Sequence, residues 1–264
     1  MGKCGFIGCG NMGSALIRSA VQSIPSRDVL VYDTDLKKSE ALAEELNITV
    51  CDLPTLAVES DYIFIGVKPQ SLAELSESLN PLLQQRTGDC VLVSMLAGKT
   101  INSLKDILKT KLPVIRIMPN LPCQTASGIT LWCSEGTGEA QEKGFEALMS
   151  HSGALFYLKE ELFNAGSAVS GCGPAFVAMF ADCLAEAGAK CGLEYEDALV
   201  LSKSVIAGTI DLLDKKDIAP ADLVKAVCSP GGTTIEGVKQ LEEHGLSAAL
   251  DDAVKAARDK ALKL

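Results

Sequence analysis

The sequence has little of what builds metal and disulfide sites. Its 264 residues include only two histidines, His151 and His244. Neither lies at ligand spacing from a pair of cysteines, so no metal is expected. The 10 cysteines include no Cys-x-x-Cys pair, and several fall inside apolar runs. They read as free, mostly buried thiols in a reducing compartment. No basic segment followed by a separate apolar run stands at the start, so no secretory signal is expected. Phe6 occupies the position where a myristoylation motif needs Ser or Thr. The most apolar stretch, Pro174 to Leu193, is broken by Asp182, Glu186 and Lys190, which argues against a membrane span. A cytoplasmic location follows as the expectation. Basic residues are also in deficit, 24 Lys and Arg against 34 Asp and Glu, for a net charge of −10. That field repels polyanions, so neither nucleic acid nor an anionic membrane is an expected partner. Any phosphate must be held by local groups.

What is present is a compact profile, 47% hydrophobic and 22% charged with 10 prolines, and not that of a disordered chain. Apolar runs at Lys3–Ile7, Val29–Tyr32, Ile48–Cys51, Tyr62–Val67 and Cys90–Ser94 read as strands. They alternate with helical patterns at Asn11–Val21, Leu36–Leu46 and Gln70–Leu83. A helix at Ile101–Lys109, strands at Pro113–Met118, Ile129–Trp132 and Ala154–Tyr157, and a helix between the last two continue the series. Such alternation predicts an α/β fold with a parallel sheet covered on both faces. From Glu161 onward nearly every segment has helical period. The expected organisation is a dinucleotide-binding domain over 1–160 and an all-helical domain over 161–264. Pro174–Lys190 and Tyr195–Leu213 are apolar on more than one face, which predicts a dimer interface.

Gly8-Cys9-Gly10-Asn11-Met12-Gly13 follows a strand and opens a helix, with Asp33 at the end of the next strand, 20 residues beyond Gly13. In that setting Gly-x-Gly-x-x-Gly is a pyrophosphate loop and the acidic residue meets the adenosine ribose. A carboxylate there repels a 2′-phosphate, so Asp33 leans toward NADH over NADPH, although Lys37 and Lys38 stand close by. Val67-Lys68-Pro69-Gln70 ends the strongest strand, at the sheet edge where ligands lie in such folds. Ser94-Met95-Leu96-Ala97-Gly98 ends the next with small residues suited to a nicotinamide. Arg116-Ile117-Met118-Pro119-Asn120-Leu121-Pro122 ends the one after. Ser229-Pro230-Gly231-Gly232-Thr233-Thr234 leads into a helix, with Thr233 and Glu236 spaced as a capping box. Glycines before a helix start expose N–H groups to a small carboxylate. Ser170-Gly171-Cys172-Gly173-Pro174 is a second such loop.

Together and in this order, "GFIGCGNMG", "VKPQ", "SMLAG", "RIMPNLP", "SGCGPAF" and "CSPGGTTIEGV" resemble the pyrroline-5-carboxylate reductase family over the full length. The resemblance implies a Rossmann-like N-terminal domain and a helical dimerisation domain interlocked with a partner subunit. It implies reduction of 1-pyrroline-5-carboxylate to L-proline by NADPH or NADH, with the active site where the two domains meet. It places the cofactor on Gly8, Cys9, Gly10, Asn11, Met12, Gly13, Asp33, Thr34, Val67, Lys68, Pro69, Ala97 and Asn120. The substrate falls to Glu160, Gly232, Thr233 and Thr234, with Thr234 as the catalytic hydroxyl near the imine nitrogen.

Two other readings are distinguishable. A β-hydroxyacid dehydrogenase or related imine reductase needs a lysine within a long interdomain helix, but Lys159 precedes the helix and Lys190 ends one. A dinucleotide-binding protein without chemistry would be marked by a broken substrate loop, and Gly231–Thr234 is intact.

Overall fold

The computed structural model describes residues 2–263. An eight-stranded sheet runs in the order β3-β2-β1-β4-β5-β6-β7-β8. Its first strands are β1 (Cys4–Ile7), β2 (Val29–Tyr32), β3 (Thr49–Val50), β4 (Tyr62–Ile65), β5 (Val91–Ser94) and β6 (Val114–Pro119). These six are mutually parallel. β7 (Gly128–Glu135) runs antiparallel to β6, and β8 (Gly153–Tyr157) parallel to β7. The expectation of a wholly parallel sheet is corrected at β6–β7. Only a short 3₁₀ segment, Leu121–Thr125, links those strands, too little chain for the crossover that parallel pairing needs.

Burial on both faces explains why the strands read as continuous apolar runs rather than alternating ones. On one face Phe6 stacks on Phe64 at 4.3 Å, over a core shared with α1 (Asn11–Ser23), α2 (Leu36–Leu46) and α6 (Glu139–Met149). On the other, Ile7, Ile63 and Ile65 meet α3 (Leu53–Glu59), α4 (Leu72–Gln85), α5 (Ile101–Ile107) and α7 (Phe163–Ser170). α3 was not expected from the sequence. It has seven residues, too few for a clear period, and is fixed at its start by Asp52, whose side chain accepts the Thr55 N–H.

Strand order reverses between β1 and β4, so the loops after these two strands form a switch point, where ligands of such sheets bind. Gly8 follows β1 and Gly66 follows β4, and their backbones lie close enough that a Cβ on Gly8 would stand 2.7 Å from the Gly66 carbonyl oxygen.

The chain forms two compact units, Met1–Cys172 with Ala257–Leu264, and Gly173–Ala256. α7, which the expected boundary at 160 assigns to the helical part, buries Phe163 in the core of the sheet unit. The second unit is built on α8 (Gly173–Lys190) and α9 (Tyr195–Lys216), followed by α10 (Pro220–Val227) and α11 (Thr233–Glu243). α12 (Leu246–Ala261) begins there and ends in the first unit. In the α8–α9 hairpin the small residues Ala181, Ala185, Ala198 and Ser202 are buried, and the Ser202 hydroxyl donates to the Ala181 carbonyl at 2.8 Å. The large apolar side chains face out, with Met179 69% and Leu201 59% exposed. The run Glu160–Lys190 is long and apolar enough to cross a membrane by length and composition alone. Here it is divided between α7 and α8.

Candidate active site

The three loop glycines serve three different needs. Gly8 has φ +105, a conformation that disfavours any side chain. A Cβ on Gly13 would lie 2.1 Å from the Gly8 carbonyl oxygen, so α1 can approach β1 only without one. A Cβ on Gly10 would meet nothing within 4 Å. Packing does not ask for glycine at position 10, and the space beside it is open. α1 starts immediately after it with Gly10 as N-cap, no side-chain cap and no acidic residue in its first turn. Its first N–H groups and positive dipole end are therefore available to an anion. Asn11 is exposed and Met12 half-buried at this edge. The residues fit the pyrophosphate of a dinucleotide.

Asp33 stands beside this loop. One carboxylate oxygen accepts the Cys9 N–H at 2.6 Å, and the other accepts the Asp35 N–H at 2.8 Å. The residue expected to serve the ribose is thus also the clamp that fixes the loop's second residue. Burial, with the Asp33 charge second, pushes the Cys9 thiol up to about 12, so it stays protonated at neutral pH. Thr34 and Lys68 are exposed, and Val67 and Pro69 half-buried. Lys38 is 3.4 Å from Asp35.

Asn120, expected to touch cofactor, has both ends of its amide engaged by the protein. Its Nδ2 donates to the Ser170 carbonyl at 3.0 Å and its Oδ1 accepts the Ile129 N–H at 2.9 Å. It ties the start of β7 to the last residue of α7.

Within the sheet unit a cavity of about 280 Å³ is lined by Ala97 and Gly98, by Arg116 and Met118 of β6, by α7 and Cys172, and by the end of α12 with Lys260. Arg116 was not assigned a role from the sequence. The available signal was a cation inside the otherwise apolar strand Val114–Pro119. Glu160, expected to bind substrate, pairs with Arg116: its Oε1 accepts from Arg116 Nη1 at 3.0 Å and from the Ile101 N–H at 2.7 Å.

In the second unit, Gly232 is the N-cap of α11 and makes no side-chain cap. The capping box expected of Thr233 and Glu236 is not formed. Thr233 is the first helical residue, and Glu236 binds Lys239 at 2.7 Å. Gly231 has φ +72, and a Cβ on Gly232 would lie 2.5 Å from Ser229 Oγ. Thr233 and Thr234 are exposed. The arrangement repeats that of α1, a glycine-led helix start whose amides no side chain occupies.

Among the described residues no cluster of His, Cys, Asp and Glu suits a metal ion. Residues 160–264 match the family model for pyrroline-5-carboxylate reductase dimerisation, and residues 3–98 that for NADP oxidoreductase, coenzyme F420-dependent. The chain is similar to the pyrroline-5-carboxylate reductase of Aquifex aeolicus, 33% identical over 99% of this chain and 97% of the relative. It is 34% identical to pyrroline-5-carboxylate reductase 3 of Danio rerio over 99% and 91%. Among solved structures it is similar to the Plasmodium falciparum pyrroline carboxylate reductase with NADP bound, with a TM-score of 0.86, 28% identity and coverage of 99% and 97%.

Proposed function

Because this chain belongs to the pyrroline-5-carboxylate reductase family, we propose that it reduces 1-pyrroline-5-carboxylate to L-proline with a nicotinamide dinucleotide. The observation that carries the reading is the pair of glycine-led, uncapped helix starts, at α1 and at α11. The first suits a pyrophosphate and the second a small carboxylate.

In this reading the α1 amides and the loop Gly8–Gly13 hold the pyrophosphate, with Thr34, Val67, Lys68 and Pro69 along the rest of the cofactor and Ala97 beside the nicotinamide. Asn120 supports that site by holding the neighbouring loops. When bound, the nicotinamide supplies the hydride that C5 of the cyclic imine takes up. Gly232, Thr233 and Thr234 bind the substrate carboxylate. The Thr234 hydroxyl is assigned to the imine nitrogen, which must carry a proton in the product. A hydroxyl is a weak acid, so orientation is its principal task and solvent supplies the proton. Holding the ring against the cofactor provides most of the acceleration, through proximity. Glu160 is assigned to the substrate with Gly232, Thr233 and Thr234, and it also acts on this site through Arg116 and Ile101.

NADH is the preferred cofactor in this reading, because the Asp33 charge lies where a 2′-phosphate would come. The exposed apolar face of α8 and α9 is covered by a second copy of the chain, with the helical domains interwoven, in the cytoplasm. Formation of L-proline from 1-pyrroline-5-carboxylate at the expense of NADH or NADPH tests the reading.

A further inference from the structure

Arg116 is held from two sides, by Glu160 and by Phe163. Its side chain is 8% exposed, and its guanidinium carbon lies 4.6 Å over the Phe163 ring. Glu160 and Phe163, at the entry to α7, thus deliver a carboxylate and an aromatic face to the same cation. The Glu160 oxygen that meets Arg116 also takes the N–H of Ile101, the first residue of α5. Immediately upstream of Ile101 lies the segment Met95–Thr100, which supplies the Ala97–Gly98 wall of the cavity, with Gly98 at φ +73. The other end of that segment is tied to the sheet, where the Met95 N–H donates to the Ile65 carbonyl at 3.3 Å. One carboxylate oxygen therefore fastens the downstream end of the wall, where Thr100 caps α5, to a guanidinium that lines the same cavity.

We propose that Arg116 is a positioning residue, which through Glu160 fixes the Ala97–Gly98 wall against the nicotinamide and does not itself bind the substrate carboxylate. The proposal rests on the functional reading above for the identity of the ring beside Ala97. Charge supports it. A guanidinium already hydrogen-bonded to a carboxylate presents little net field to a second anion. Lys260, exposed on the same cavity, is the cation open to one.

The test uses the full-length variants Arg116→Met, Arg116→Lys and Glu160→Gln. Three quantities are read: amide hydrogen exchange of the segment 95–103 without cofactor, affinity and emission of bound NADH, and steady-state kinetics. For Arg116→Met, exchange at this segment rises about tenfold as the tie at Ile101 loosens. NADH affinity stays within about threefold while the emission of its bound nicotinamide changes, and kcat falls about tenfold with little change in the KM of the imine. Arg116→Lys, which keeps the charge but not the fork, recovers part of each effect. Unchanged exchange and kcat in a folded variant overturn the proposal. So does a KM for the imine that rises about tenfold at constant kcat, which would make Arg116 a substrate ligand. If Arg116→Met does not fold, Glu160→Gln and Arg116→Lys decide by the same readouts. If the unaltered protein does not reduce the imine, the functional reading fails, and exchange and emission still decide on the wall.

Discussion

The Asp33 carboxylate and the Cys9 amide are joined by a 2.6 Å hydrogen bond at the Gly8–Gly13 loop. A single side chain thus holds the loop as an acceptor, and the proposed function gives its charge a second task, repelling a 2′-phosphate; mutation can separate the two.

Asp33→Asn keeps an oxygen for the Cys9 N–H, gives up the acceptor for the Asp35 N–H and removes the charge. The ratio of kcat/KM for NADPH to that for NADH is expected to rise about tenfold, equivalent to about 1.4 kcal/mol. Asp33→Ala, which removes the acceptor too, weakens both cofactors. Equal cofactor ratios in Asp33→Asn and the parent would place the discrimination elsewhere.

Gly10 and Gly13 are expected to respond in opposite ways to the same added methyl group. Gly10→Ala has open space around it, so the cofactor-free protein keeps its stability to within about 0.5 kcal/mol. Its cofactor affinity falls at least about tenfold as the methyl meets the phosphates. Gly13→Ala is destabilised before any cofactor is added, because the new carbon presses on the Gly8 carbonyl oxygen. Thermal melts with and without NADH separate the two.

Thr234→Ala is expected to lower kcat/KM for the imine by about tenfold or more if the hydroxyl serves the nitrogen. Neither threonine caps α11, so the melting temperature should not move with it. A stable variant of full activity would remove Thr234 from the chemistry.

Met179→Lys or Leu201→Lys places a charge on the exposed apolar face of the α8–α9 hairpin. If a second copy covers that face, either change lowers the molar mass measured by light scattering to that of one chain. A dimer that persists in both variants contradicts the assignment of this face. Burying an unpaired charge costs several kcal/mol, so the effect should be large.

Most of the fold was legible because the relevant signals are local. The bounds of β2, α2 and α11 follow directly from apolar runs and period. The loop Gly8–Gly13 was readable because strand, glycines and helix are contiguous. What was not legible depends on distant partners. The Glu160–Arg116 pair was not readable, because the fold brings Arg116, 44 residues away, to 3.0 Å. Nor does anything in the segment of Asn120 show that Ser170 and Ile129 take its amide. α3 is too short to carry a period, and the direction of β7 is set by a turn whose length, not composition, excludes a crossover.

The most direct measurement is the oxidation of NADH and of NADPH by the purified chain supplied with 1-pyrroline-5-carboxylate, with L-proline assayed as product. The expected result is stoichiometric proline formation with both cofactors and a higher kcat/KM for NADH. Absence of turnover with either cofactor would contradict the assigned reaction.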